Sequence, residues 1–221
     1  MEIEPLQDSQ SEPNAPTSEQ FPFGAILRDI AKEWNKAEAA IKRSEQIAGD
    51  VSIPAISELR YAGRRMIDAL DASHHNGNED RIKALFEDAR FCCHRAQHDA
   101  IDAAMAKIGI DLDNLTNKLG FEAVLHAYPD FREFYSDFSI ARGKIALSRG
   151  NRNDRIGIYE AITAVDLPNL AERHERLMAA RPIAKWTSLR LRMSGVWGVI
   201  IGLAAIAAAV FAGMAVDWDK Y

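Results

Sequence analysis

The sequence is poor in the residues that build disulfide frameworks and the commonest enzyme sites. It contains only two cysteines, the neighbours Cys92 and Cys93. Adjacent residues on a helix point about 100° apart, which does not suit a disulfide, so we expect two reduced thiols that act as small core residues. No glycine-rich phosphate loop, HExxH motif or CxxC pair occurs. We therefore predict no cofactor and no complete catalytic motif.

Strand patterning and an N-terminal export signal are also absent. No alternation of apolar and polar residues runs far enough to predict a strand. Residues 1–20 carry five acidic side chains and no lysine or arginine, which accounts for the whole formal net charge of −5. Such a segment, rich in proline and polar residues, buries too little apolar surface to order itself. We predict a disordered acidic leader over 1–20.

Apolar residues recur at steps of three and four along most of the remaining chain, which predicts an all-α fold. The second helix places Ile56, Leu59, Ile67 and Leu70 among its predicted core residues. Asn78 follows a glycine and is suited to cap the third helix. The predicted helices cover 22–48, 54–73, 79–108, a short one from Asp111, one near 121–125, 130–148, 156–165 and 168–180.

A long apolar run near the end of the sequence predicts a transmembrane helix over 196–216. No ionisable side chain occurs between Met193 and Val216. A helix of 21 residues rises about 31 Å, which matches a bilayer core of roughly 30 Å. The predicted organisation is thus a leader (1–20), a multi-helix cytoplasmic bundle (21–180), a basic amphipathic juxtamembrane segment (181–195), one C-terminal span (196–216) and a short external tail (217–221).

Charged and aromatic residues flank the predicted span in the pattern typical of a single-pass protein. Basic residues precede it and Asp217 and Asp219 follow it, so we expect the N-terminal domain to be cytoplasmic and the localisation to be the cell membrane. Indole rings favour membrane interfaces. The predicted interfacial residues are Lys185, Trp186, Arg190, Arg192, Trp197 and Trp218.

Small residues inside the predicted span favour close helix packing. Gly198 and Gly202 form a GxxxG pair, and a second series of small residues follows at similar spacing. In lipid, where packing drives association, such faces favour self-assembly of spans. The predicted packing residues are Gly198, Gly202, Ala205, Ala209 and Gly213.

The third predicted helix carries the richest group of polar residues. His94, His98 and Asp102 follow one another at four-residue steps on one face, which makes them weak candidates for metal ligands. The helix also carries Arg90 and Arg95. An all-helical chain with arginine and histidine on one helix resembles the HEPN ribonucleases. That resemblance implies that arginine would stabilise phosphate and histidine would act in acid–base chemistry across a dimer.

A basic run surrounds the predicted turn at Gly150. Five cations with few nearby acids suit either contact with anionic groups or a solvated helix end. These residues are Arg142, Lys144, Arg149, Arg152 and Arg155.

From these features we expect a non-enzymatic, membrane-tethered helical interaction or effector module. Its partners would be the lipid bilayer and other copies of the chain, assembled through the helical domain and the small-residue span. One alternative is a membrane-anchored HEPN-like ribonuclease that uses Arg90, His94, Arg95 or His98. Another is an oligomeric pore-forming or membrane-disrupting effector.

Overall fold

The computed structural model describes residues 22–75, 77–151 and 153–218, and within them it leaves out the side chains of 194–199 and 213–218. The described residues form helices and contain no strand, which confirms the all-α prediction. The helices are α1 (Gly24–Ala48), α2 (Ile53–His74), α3 (Glu79–Leu119), α4 (Phe121–Ala127), α5 (Phe131–Gly150), α6 (Arg155–Ala161) and α7 (Leu167–Trp218), with a π-helical segment at Ile162–Asp166 before α7. The predicted acidic leader lies outside the described residues.

The helix ends follow local chemistry that can be read in the sequence. The Asn78 side-chain oxygen accepts hydrogen bonds from the backbone N–H groups of Asp80 (2.8 Å) and Arg81 (3.2 Å), so the predicted cap of α3 is confirmed. Gly120 ends α3 with φ +86°, a left-handed conformation that glycine adopts without a Cβ clash.

The third helix is longer than predicted. We expected a break near 108 and a new helix capped by Asp111, but α3 continues to Leu119. The Asp111 carboxylate does not cap a helix, because both of its oxygens accept hydrogen bonds from Lys107 Nζ one turn earlier, each at 2.7 Å. Gly109, in the same turn, sits against the ring of Phe138.

Residue contacts divide the chain into two compact units. The first comprises Met1–Ala39 and Pro54–Gln97, and the second comprises Ala40–Ile53 and His98–Tyr221. In the first unit Phe23 packs on Phe86, with ring centroids 5.5 Å apart. Alanines form much of its buried surface and let the helices approach closely, at positions Ala37, Ala55, Ala62, Ala69, Ala89 and Ala96.

Large side chains fill the core of the second unit, where α4, α5 and the first half of α7 pack together. Tyr159 is completely buried beside the π-helical segment. Phe131 packs edge-on against Phe121, with centroids 5.6 Å apart. The buried residues of this core include Ile101, Ile108, Leu112, Phe134, Ile162, Leu170 and Leu177.

The last part of the chain forms one continuous helix rather than three separate elements. Residues predicted as a final cytoplasmic helix, a juxtamembrane segment and a span all belong to α7, which passes through Pro182. Among the described residues, no helix combines the length and the apolar character that crossing a bilayer requires. The predicted transmembrane helix therefore has no support from the structure. The side chains at both ends of the predicted span, 196–199 and 213–216, lie outside the described part.

Candidate functional site

The two halves of α7 have very different surroundings. In the first half, one face of the helix is buried within the second unit. Its buried residues include Leu170, His174, Leu177, Ala184 and Ser188. After Ser188, every described side chain is exposed, over 189–193 and 200–212. We call 200–212 the exposed segment. The change occurs within a single helix, so the backbone continues where the packing stops.

The exposed segment is apolar on all sides. Leu203 and Ile206 are each 63% exposed and Phe211 is 73% exposed. A helix that is hydrophobic all round is ordinarily covered by protein or lipid, and contiguous exposed apolar surface marks a site of interaction with a partner or a membrane. This segment is the largest candidate interaction surface that the described residues present on α7.

The predicted packing residues fall partly within the exposed segment. Gly202, Ala205 and Ala209 are exposed, and a Cβ added at Gly202 would meet no atom within 4 Å. These three residues lie on one face of α7, because they are three and four residues apart. At Gly198, Gly213, Trp197 and Trp218 the structure describes only the helical backbone.

The predicted interfacial residues have mixed roles. Trp186 is 74% exposed, and Arg190 is also exposed. Arg192, in contrast, donates a hydrogen bond from Nη2 to the carbonyl oxygen of Lys118 at 2.9 Å. That carbonyl is one of the last four of α3, which lack a partner within their own helix. A cation there also offsets the negative end of the helix dipole. Arg192 therefore stabilises the contact of α7 with the end of α3.

Lys185 borders a small cavity between α3 and α7. The cavity has a volume of about 130 Å³, and its other charged lining residues are Asp111, Lys118 and Arg181. Three cations and one carboxylate thus line this cavity. They give a basic character to the part of α7 that precedes the exposed segment.

The arginines and first histidine of the ribonuclease alternative are paired with carboxylates within the first unit. Arg95 contacts Glu58 at 2.6 Å, and His94 Nδ1 lies 3.4 Å from Glu33 Oε2. Arg90 contacts Glu87, three residues earlier on the same helix, at 2.5 Å. Glu33 and Glu58 come from α1 and α2, so these contacts join three helices of the unit. The pairs neutralise charges that a phosphate-binding site would direct at its substrate.

His98 and Asp102 have a separate set of partners in the second unit. The ring of His98 stacks on Tyr159 with centroids 3.9 Å apart. The Tyr159 hydroxyl donates a hydrogen bond to Asp102 Oδ1 at 2.8 Å. Burial, together with this contact to a carboxylate, raises the pKa of Tyr159 to about 12. The phenol is therefore neutral at physiological pH and serves as a hydrogen-bond donor.

No group of three His, Cys, Asp or Glu side chains in the described part of the chain lies close enough to hold a metal ion. The metal hypothesis for His94, His98 and Asp102 gains no support from this geometry. The two cysteines are free thiols, and burial raises the pKa of both, that of Cys93 to about 12. A nucleophilic cysteine needs the opposite shift, toward a lower thiol pKa.

One polar network was not predicted from the sequence. His174 on α7 is buried, and its Nε2 lies 2.8 Å from Asp111 Oδ2 on α3. Burial acts to raise the pKa of Asp111, but the hydrogen bonds from Lys107 and His174 outweigh it, and the pKa is lowered. The spacing of Lys107 and Asp111 was visible in the sequence, but the contribution of a residue 63 positions away was not.

The basic run around Gly150 is only partly available for ligands. Lys144 forms an ion pair with Asp166 at 2.7 Å, and Arg149 lies 3.5 Å from Asp102. Arg142 and Arg149 line an open cavity of about 260 Å³ between α3 and α5, and Asp102 and Asp113 line it as well. Two cations and two carboxylates give this cavity no dominant charge. Arg152 lies outside the described residues.

The chain shows no match to any protein-family model, to any curated protein or to any solved structure.

Proposed function

We infer that this protein is a non-enzymatic helical interaction module that associates with a membrane through the second half of α7. The observation that carries the proposal is the exposed segment, in which every described side chain from 200 to 212 is exposed. Its large side chains are Ile200, Ile201, Leu203, Ile206, Val210 and Phe211. Lipid would cover this surface without requiring a complementary protein groove.

The helical backbone favours lipid as the covering medium. An α-helix satisfies its backbone hydrogen bonds internally, which is the condition for entering the hydrocarbon region of a bilayer. Each fully buried leucine- or isoleucine-sized side chain contributes about 1.5–3 kcal/mol when it leaves water. The exposed segment contains no charged residue to oppose that transfer. The sequence extends the uncharged run beyond it on both sides, from Met193 to Val216.

The basic residues before the exposed segment support the proposed orientation. Arg181, Lys185 and Arg190 are exposed on the part of α7 that precedes it. Basic residues collect on the cytoplasmic side of a membrane, where each contributes about 1 kcal/mol of attraction to anionic lipid. We therefore place the helical domain in the cytoplasm, next to the inner surface of the cell membrane.

Self-association is the proposed mode of assembly. The small face of Gly202, Ala205 and Ala209 is continuous in the sequence with Gly198 and Gly213. Small faces let two helices approach closely in lipid. The ribonuclease alternative has no comparable supporting observation, since Arg90 and Arg95 already contact carboxylates.

Membrane association is tested by extracting the full chain, made in the presence of lipid vesicles, with alkaline carbonate. The test variant is Leu203→Arg with Ile206→Arg. The matched control is Leu147→Arg, because Leu147 is an exposed apolar residue on α5, 73% exposed. One arginine at a bilayer centre costs about 2.5–3.5 kcal/mol on insertion scales. We expect wild type and control in the vesicle pellet and the double variant in the supernatant; wild type in the supernatant would refute the proposal.

A further inference from the structure

A second apolar surface lies on α2, where the observed core face differs from the predicted one. Of the residues predicted to be buried, Leu59 is buried, but Ile56 is 41% exposed and Ile67 is 61% exposed. The helix buries a different face, made of Ala55, Glu58, Leu59, Ala62 and Ala69. Alanines permit close packing there, and the larger residues are left outside.

The exposed face of α2 has the spacing of an interaction seam. Its residues follow one another at alternating steps of three and four, a pattern that keeps them on one side of a helix. We call them the α2 seam: Ile56, Arg60, Gly63, Ile67, Leu70 and His74. At Gly63 the seam borders α1, because a Cβ added there would lie 3.7 Å from the ring of Trp34. The described residues of the first unit leave its large apolar members exposed, including Ile67 at 61% and Leu70 at 41%.

A cation, Arg60, lies between the apolar residues of the seam. Arg60 is exposed and lies over the ring of its neighbour Tyr61, 5.8 Å from the centroid, and it has no ion pair among the described residues. Arg64 and Arg65 are also exposed, but they lie against Asp68 and Asp88, which leaves Arg60 as the cation that a partner would meet. A complementary partner would therefore combine carboxylates with apolar side chains.

The sequence contains one segment of that chemistry, the acidic leader. Residues 1–20 carry Glu2, Glu4, Asp8, Glu12 and Glu19 and no lysine or arginine. Ile3 lies between Glu2 and Glu4, and Leu6 lies two residues before Asp8. The leader thus offers apolar side chains three residues apart, next to carboxylates that suit Arg60.

The point where the leader joins the described chain is close to the seam along the helix axis. Glu58 contacts Arg95, and Arg65 lies 3.9 Å from Asp88. The residue numbers rise along α2 and fall along α3, so the two helices run antiparallel. The same register places Ile67 level with Phe86. Phe23 packs on that same Phe86. Phe23, three residues after the end of the leader, therefore lies at the level of Ile67 along the helix axis.

The leader is also long enough to follow the whole seam. Twenty extended residues span up to about 66 Å, whereas a helix of the length of α2 is about 33 Å long. We propose that the acidic leader docks in cis on the α2 seam, with Ile3 and Leu6 on its apolar residues and a glutamate of the leader against Arg60.

Photo-crosslinking of the full chain in lipid vesicles tests this docking. Ile67→p-benzoylphenylalanine places the probe on the seam, and Ile140→p-benzoylphenylalanine is the matched control, because Ile140 is exposed to a similar extent, 57%, on α5. After irradiation, we expect the probe at 67 to give a product of monomer mass whose cross-linked peptide maps to 1–20. The yield should exceed that at 140 several-fold.

Two further variants decide between occupants. Ile3→Asp with Leu6→Asp in the leader, or Arg60→Glu on the seam, should each reduce the product at 67 several-fold, since they remove the apolar and the charged contact. A cross-linked dimer, an adduct with lipid, or no product at position 67 would each overturn the proposal, because the seam would then be covered by a second copy, by the membrane or by nothing.

Discussion

At the scale of single residues, the polar side chains of this protein mostly join helices to one another. Glu33, Glu58 and Asp111 each receive a basic side chain from a different helix. A partly buried carboxylate without such a partner carries an uncompensated desolvation penalty. The arrangement explains why arginine and histidine gather on α3 without a catalytic motif.

The network of Lys107, Asp111 and His174 gives a pH prediction. The pKa of Asp111 lies below its ordinary value of 3.8 in the folded chain, so folding favours the ionised carboxylate. Its stabilisation is complete above the pKa of the unfolded chain and is lost as the pH falls below about 4 toward the folded-state pKa. Asp111→Asn should reduce the free energy of unfolding at pH 7 by about 1–3 kcal/mol, because the neutral amide lacks the charge that pairs with Lys107 and with the buried His174.

Urea unfolding of the full chain at pH 7 and at pH 3 measures this effect, with Asp113→Asn, two residues further along α3, as the matched control. The difference between wild type and Asp111→Asn should shrink at pH 3. An equal difference at both values of pH would show that the carboxylate charge contributes nothing.

At the scale of helices, packing of α5 on α3 depends on one glycine. A Cβ added at Gly109 would lie 2.9 Å from Cζ of Phe138, whose ring is nearly buried. A Cβ added at Gly143 on α5 would meet no atom within 4 Å. Overpacking typically costs about 1–3 kcal/mol, whereas alanine is favoured over glycine inside a helix by about 1 kcal/mol.

Gly109→Ala should therefore lower the free energy of unfolding by about 1 kcal/mol, and Gly143→Ala should raise it by about 0.5–1 kcal/mol. Denaturant unfolding followed by circular dichroism measures both. If both variants were stabilised to the same extent, the close approach of Phe138 to α3 would be excluded.

The sequence predicted the helices better than their faces and lengths. The cap at Asn78 could be predicted because it depends on residues within one turn. The continuation of α3 past Ile108 was missed, because an aspartate suits a helix cap, whereas the Asp111 carboxylate accepts hydrogen bonds from Lys107 within the same helix. The predicted core face of α2 was wrong, because periodicity locates the apolar residues but the neighbouring helices decide which side of the helix is buried.

At the scale of the whole molecule, the proposed assembly depends on the small face of α7. Gly198→Ile with Gly202→Ile should reduce the oligomer size of the full chain in detergent, because bulky side chains prevent close helix approach. Ala204→Ile with Ala207→Ile adds the same bulk on the opposite face and serves as the control. Light scattering after size-exclusion chromatography gives the masses. An unchanged mass in the glycine variant would exclude assembly through this face.

Lipid contact of the exposed segment is measured most directly by spin labelling at Ile206. The label is attached to Ile206→Cys in a chain carrying Cys92→Ala and Cys93→Ala, and Leu147→Cys provides the control on α5. In lipid vesicles, we predict that the label at 206 collides often with dissolved oxygen and rarely with a water-soluble nickel complex. The label at 147 should collide more often with the nickel complex than with oxygen. A label at 206 that collides with nickel as readily as the one at 147 would contradict the account.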